Sequence, residues 1–138
     1  MRYMLLIYSK EVDAPAAEMA TVAERHRALM AETKRRGILV DASPLEPTAT
    51  ATTVRIGDGR PLILDGPFAE TKELIAGYWL WQVKSVAEAV EWLKRAPFGG
   101  GTEVEIRPVF EADDFGKEFT PELRAQEERL RAQIEAKR

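Results

Sequence analysis

An α+β fold is predicted by three features of this 138-residue sequence. Short apolar runs alternate with helix-patterned stretches, a strand–helix–strand unit stands on each side of a central hairpin signal, and a charged, helix-patterned tail follows the last run. The order strand, helix, strand, hairpin, strand, helix, strand is ferredoxin-like with an inserted β-hairpin, closed by a C-terminal helix. We place the folded domain at residues 1–112 and a C-terminal extension at residues 113–138.

The first run, Tyr3-Met4-Leu5-Leu6-Ile7-Tyr8, is almost entirely apolar and reads as a central strand covered on both faces. Asp13 can cap a helix, and Pro15 suits its first turn. Met19, Val22, Ala23, His26, Leu29, Met30 and Thr33 recur at helical spacing as its inner face, while Glu18, Arg25, Glu32 and Arg36 point outward. Gly37 ends the helix, and Ile38-Leu39-Val40 starts a second strand that runs into Pro44 and Pro47. Thr53 to Ile56 and Pro61 to Leu64 are hairpin partners across Asp58-Gly59. The next strand, Gly77 to Val83, sets Trp79, Trp81 and Val83 on one face and Tyr78, Leu80 and Gln82 on the other.

Ser85 and Glu88 form a capping box that opens a second helix. Val86, Ala89, Val90 and Leu93 are its predicted buried stripe, and Pro97 stops it. Phe98-Gly99-Gly100-Gly101 is a flexible loop, and Glu103 to Phe110 is the last strand, with Glu103, Glu105 and Arg107 marking a wet face. In the tail, Thr120 can cap and Pro121 fits the first helical position. Leu123, Leu130 and Ile134 give this helix only a thin apolar stripe, so it is expected to dock on its own body or a partner, or to fray.

Composition narrows the chemistry. Hydrophobic residues make up 45% and charged residues 31%, a globular balance, and the length permits one useful core. With no cysteine, disulfides and thiolate metal sites are excluded, and a cytoplasmic location is the expectation. A single His rules out a His-rich metal centre in one chain. Glu103, Glu105, Asp113 and Asp114 lack the spacing and glycine of a calcium loop, so no metal and no cofactor are expected. A net charge of -3 argues against nucleic acid, and no apolar run is long enough for a membrane span. Two helices can cover only one face of the sheet. The other face, lined partly by Trp and other apolar groups, then needs a partner, and a homodimer through the sheets is expected.

The candidate site centres on Asp65-Gly66-Pro67-Phe68-Ala69-Glu70-Thr71-Lys72-Glu73. Lying between two apolar runs, it reads as a loop, yet it holds an aromatic ring, three carboxylates, a hydroxyl and a lysine. Phe68, Glu70 and Lys72 are candidate contacts for an unidentified small molecule, with Arg55 able to fork onto a carboxylate and Trp79 able to line an apolar pocket. A structural role stands beside each: Asp65 bonding turn amides, Phe68 plugging the core, Glu70 and Lys72 a solvated pair, Arg55 a surface cation, the Trp residues a dimer core. His26 lies on an apolar helix face, where a core role is the commoner one. Facing a cleft, it would serve as acid or base, with Asp65 as its carboxylate partner and Glu70 or Asp41 as substitutes.

The segment Asp65 to Glu73, DGPFAETKE, resembles the signature of the DGPF family, a branch of the YCII-related proteins. Tyr3-Met4-Leu5-Leu6-Ile7, Ala49 to Arg55, and Glu105-Ile106-Arg107-Pro108-Val109 support it, so that the resemblance spans residue 1 to about residue 115. It implies a dimeric α+β barrel of ferredoxin-like subunits with one cleft per subunit. It also implies an acid/base pair, in which a first-helix His matches His26 and an Asp precedes a Pro-Phe or Pro-Tyr pair. Ala96 occupies that Asp position here, so the dyad lacks its carboxylate. Related proteins act as lyases, dehalogenases or isomerases on small cyclic acids, and some DGPF relatives are linked to extracytoplasmic-function sigma factors. Two functions are therefore carried forward. One is a dimeric small-molecule-binding module with a regulatory role; the other is a cofactor-free lyase or isomerase using His26 with Asp65.

Overall fold

A computed structural model describes residues 1–9, 15–57, 59–65 and 74–137, with the side chains of residues 64 and 65 outside that description. Asp13, Asp58, Phe68, Glu70 and Lys72 lie outside the described residues. The chain divides into two compact units, Met1–Pro108 and Val109–Arg138.

In the first unit, β1 (Arg2–Ser9), α1 (Ala16–Arg35), β2 (Leu39–Pro44), β3 (Thr52–Arg55), β4 (Leu62–Asp65), β5 (Leu74–Gln82), α2 (Val86–Leu93) and β6 (Glu103–Pro108) follow in order. Four strands form one antiparallel sheet in the order β2-β5-β1-β6, and β3 and β4 form a separate two-stranded sheet. This is the ferredoxin-like α+β arrangement with an inserted hairpin. The two central strands, β5 and β1, carry the most apolar runs, because both of their edges are hydrogen-bonded to neighbours.

Alternation along the strands sorts side chains into two faces. On one face Tyr3, Leu5, Ile7, Trp79, Trp81 and Val83 are buried and pack with Leu29 of α1 and Ala89 of α2. Trp79 and Trp81 stack with ring centroids 5.2 Å apart. The two rings are thus the keel of the helix-covered core, not the lining of the opposite face, which corrects the expectation that they meet a partner there. They fill the space under two helices better than β-branched residues could, since each indole buries on the order of 200 Å². The opposite face presents Met4, Leu6, Tyr8, Tyr78 and Leu80, all half-buried. There the Tyr78 hydroxyl donates to Asp41 Oδ2 at 3.0 Å.

The helices sit slightly rotated from their predicted faces. In α1 the core contacts are Leu29, Met30 and Thr33, whereas Met19 and Val22 are exposed. Only the second half of this helix therefore reaches the sheet. Thr33 is buried without cost because its hydroxyl donates to the Leu29 carbonyl at 2.9 Å. Pro15 is the N-cap residue, one position before the first helical turn, and no side chain caps it. In α2, Ala89 is buried while Val86 and Val90 are exposed; Trp92 and Leu93 complete the inward side, and Ala96 packs on the core just beyond the helix. Half of the predicted capping box forms: the Glu88 amide donates to Ser85 Oγ at 3.2 Å, while the Glu88 carboxylate accepts from the amide of Lys84, one residue before the N-cap, at 2.8 Å.

The second unit contains a 3-10 segment, Ala112–Glu118, and α3 (Pro121–Ala136). Thr120 caps α3 by accepting from the Leu123 amide, and Pro121 takes the first helical position. A feature absent from the sequence reading is a run of rings, Phe110–Phe115–Phe119, with centroids 5.4 and 5.5 Å apart. Arg124 lies over Phe119 and pairs with Asp113, and Arg131 pairs with Glu127.

Candidate functional site

The site is built where β2 and β5 run beside the second half of α1. Pro44 lies opposite Gly77, and Ala42 opposite Trp79. A Cβ placed on Gly77 would stand 2.8 Å from the Ser43 carbonyl oxygen, so only glycine permits this strand approach. Above it a cavity of about 360 Å³ opens, lined by Ile7, His26, Met30, Trp79 and Phe98 with the Ala42–Pro44 and Ala76–Gly77 segments.

Its inner wall is aromatic. Trp79 is 2% exposed and sits between two other rings. Phe98 stacks on it at 5.3 Å and 25°, and His26 leans on it at 5.6 Å and 42°. Buried Pro97 anchors the chain just before Phe98, and three glycines follow it. His26 is half-buried, and among the described lining residues it alone bears a titratable side chain. Such a wall favours a mostly apolar molecule, held by ring contacts and offered one polar imidazole.

The predicted site residues fall in different places. The cavity brings His26 and Trp79 together. Arg55 ends β3, opposite Leu62 in the two-stranded sheet, and is not among the described residues that line the cavity. Asp65 ends β4, opposite Thr52, with its side chain outside the described residues; Phe68, Glu70 and Lys72 are outside them altogether. Asp41 is paired with Leu80 in the sheet, not with a residue of the cavity. Its carboxylate accepts from Tyr78 on the opposite face of the sheet, because its neighbour Ala42 faces the cavity. Ala96 packs against the hydrophobic core.

Phe98 and Gly77 are cavity residues that the sequence reading did not single out as a site. A signal existed for each: a glycine inside an aromatic strand marks close backbone approach, and a Pro-Phe pair at the end of a helix marks a ring held at a fixed place. Among the described residues, no group of three or more His, Cys, Asp or Glu side chains is placed to hold a metal ion. No helix among them is long and apolar enough to cross a membrane.

Comparison with known proteins places relatives beside this geometry. The YCII-related domain matches residues 1–113. An uncharacterised protein of Rhizobium meliloti is 33% identical over 115 residues, covering 79% of this chain and 92% of that protein. Among solved structures, the 5-chloro-2-hydroxyhydroquinone dehydrochlorinase of Burkholderia phenoliruptrix, in complex with 2,5-dihydroxybenzoquinone, is 18% identical. The alignment covers 82% of this chain and 98% of that one, with a TM-score of 0.40.

Proposed function

This chain belongs to the YCII-related family, and on that premise we propose that it is a dimeric small-molecule-binding module of the DGPF branch, with its ligand in the Trp79 cavity. The observation that carries the reading is the cavity itself: about 360 Å³, walled by three rings, with His26 at its side. That volume is ample for a small molecule, since an apolar hole of roughly 150 Å³ already accepts benzene. The segment from Asp65 to Glu73 joins β4 to β5, the strand that supplies Trp79, and in this reading it covers the ligand with Phe68, Glu70 and Lys72. A regulatory role fits a binding site whose described lining residues include no carboxylate beside the imidazole. The second copy meets the first through the Met4, Leu6, Tyr78 and Leu80 face.

Phenol is a suitable probe, being flat, small and carrying one hydroxyl. Isothermal titration should give a dissociation constant on the order of millimolar, which is reasonable for so few atoms. Ala42→Leu should weaken it by about tenfold or more by filling the cavity, with the fold unchanged by circular dichroism. Equal affinity in both proteins would reject the cavity as the binding place.

A second reading is favoured by the position of His26 on the cavity wall. There the imidazole would move a proton on the bound molecule, with Asp65 as its orienting carboxylate, as a cofactor-free lyase or isomerase requires. His26→Gln separates the two. The binding module shows no turnover before or after the change and loses only the part of its phenol affinity that the imidazole supplies; an enzyme loses about 10²–10⁴ in rate.

A further inference from the structure

Helix α3 lies beyond the residues that match the family, 1–113, and nothing in the cavity reading accounts for it. Its apolar residues are on the outside. Leu123, Leu130 and Ile134 are 45%, 55% and 59% exposed. At about 100° per residue they fall within roughly 40° of one another around the helix, forming one stripe. The half-buried side of α3 is instead polar: Arg124, Glu127 and Arg131 are engaged with one another or with Asp113 and Glu111 of the same unit. A helix that turns charged groups inward and its only large apolar groups outward presents a docking surface.

Charge identifies what docks. On the exposed flank of the stripe, helical spacing sets Glu122, Gln126, Gln133 and Lys137 in a row. The row begins acidic and ends basic. A second copy laid antiparallel brings Glu122 to Lys137 of the other chain and Gln126 to Gln133, and it does so twice. The same register meets Leu123 with Ile134 and sets Leu130 near its own copy at the dyad. A parallel pair would instead set this row against the other flank of the partner's stripe, where Glu127 and Arg131 are already engaged within their own unit. All four antiparallel matches agree on one register to within about half a helical turn.

We propose that α3 pairs antiparallel with α3 of a second copy of this chain. The stripe is thin, so the association is weak on its own and gains from any other contact that holds two copies together.

The chain has no cysteine, so single cysteines report neighbours cleanly. Leu123→Cys and Ile134→Cys chains, co-expressed and mildly oxidised, should yield a disulfide-linked mixed dimer, while either variant alone yields little. Cross-linking of each variant with itself would mean parallel pairing and would overturn the proposal. So would the absence of any cross-link in the mixture. As a second measurement, sedimentation equilibrium should show Glu122→Lys weakening association by about two- to fivefold, as expected for an exposed pair formed twice. Adding Lys137→Glu to the same chain should restore it. Failure of the double swap to restore association would point to a different partner for the stripe.

Discussion

The two faces of the four-stranded sheet are made by alternate residues of the same strands, yet they differ in kind. One face holds Tyr3, Leu5, Ile7, Trp79 and Trp81, all 8% exposed or less, under two helices. The other holds Met4, Leu6, Tyr8, Tyr78 and Leu80, half-buried and fringed by Asp41, Glu105 and Arg107. The covered face is where the cavity forms, because the rings that fill the core also wall its open end. The difference teaches that burial and binding are one device here: Trp79 belongs to the core on one side and to the cavity on the other.

The contrast breaks most severely at the core rings. Trp81→Ala should cost about 3–5 kcal/mol of unfolding free energy, and urea denaturation would show it. Leu6→Ala, one position out of phase with Leu5 on the neighbouring strand, should cost about 1 kcal/mol or less when measured dilute enough to separate two copies, since within one subunit its side chain is only half removed from water. A similar loss at both sites would mean that the faces are equally packed.

Gly77→Ala comes next. The added methyl meets the Ser43 carbonyl at 2.8 Å, and that oxygen is backbone, so β2 must shift. A loss of about 1–3 kcal/mol is expected, together with weakened phenol binding, because Ser43 and Pro44 line the cavity. An unchanged melting temperature would show that the strands give way freely.

On the second face, Leu80→Lys should leave the unfolding transition within about 0.5–1 kcal/mol of the parent while lowering the apparent mass in sedimentation. A dimer unaffected by it would move the proposed interface elsewhere.

The smallest effect is on the outward side of α1. Arg35, and then Arg36 with its Nε 3.1 Å from Oε1, hold the Glu32 carboxyl below the ordinary value of 4.5. A depressed carboxyl stabilises the fold above its unfolded value and loses that contribution as pH falls through the folded one. Glu32→Gln should therefore lower the urea midpoint slightly at pH 7, with the difference vanishing well below 4.5. A difference that persists in strong acid would require another cause.

Much of the first unit is readable from residues. A continuous apolar run found β1, strand-forming aromatics β5 and period-two alternation β6; Gly37 with its φ of 71° marked the end of α1, and Ser85 with Glu88 marked the start of α2. What escaped was azimuth. A helix of 20 residues that touches the sheet only along its second half does not spend Met19 and Val22 in the core, and nothing in their spacing says so. In α2, Val86 and Val90 read as inward by hydrophobicity, but Trp92 and Leu93 claim that space by size. The rings of β5 escaped for a like reason: alternation assigns Trp79 and Trp81 to one face without saying which face the helices will take. The candidate site was legible only in part. His26 and Trp79 were named from chemistry, whereas Phe98 and Gly77 carry local signals that mark a fixed ring and a close approach but not the distant segment each one meets.

The most direct test of the cavity reading uses the chain's single imidazole. With one His in 138 residues, the ring protons of His26 give their own pair of resonances in proton NMR without assignment. Titrating phenol should shift both in a saturable way, with the same midpoint as calorimetry, because the ring stands on the wall that the ligand touches. Resonances of His26 that stay fixed while phenol binds elsewhere, or no binding at all, would contradict the account.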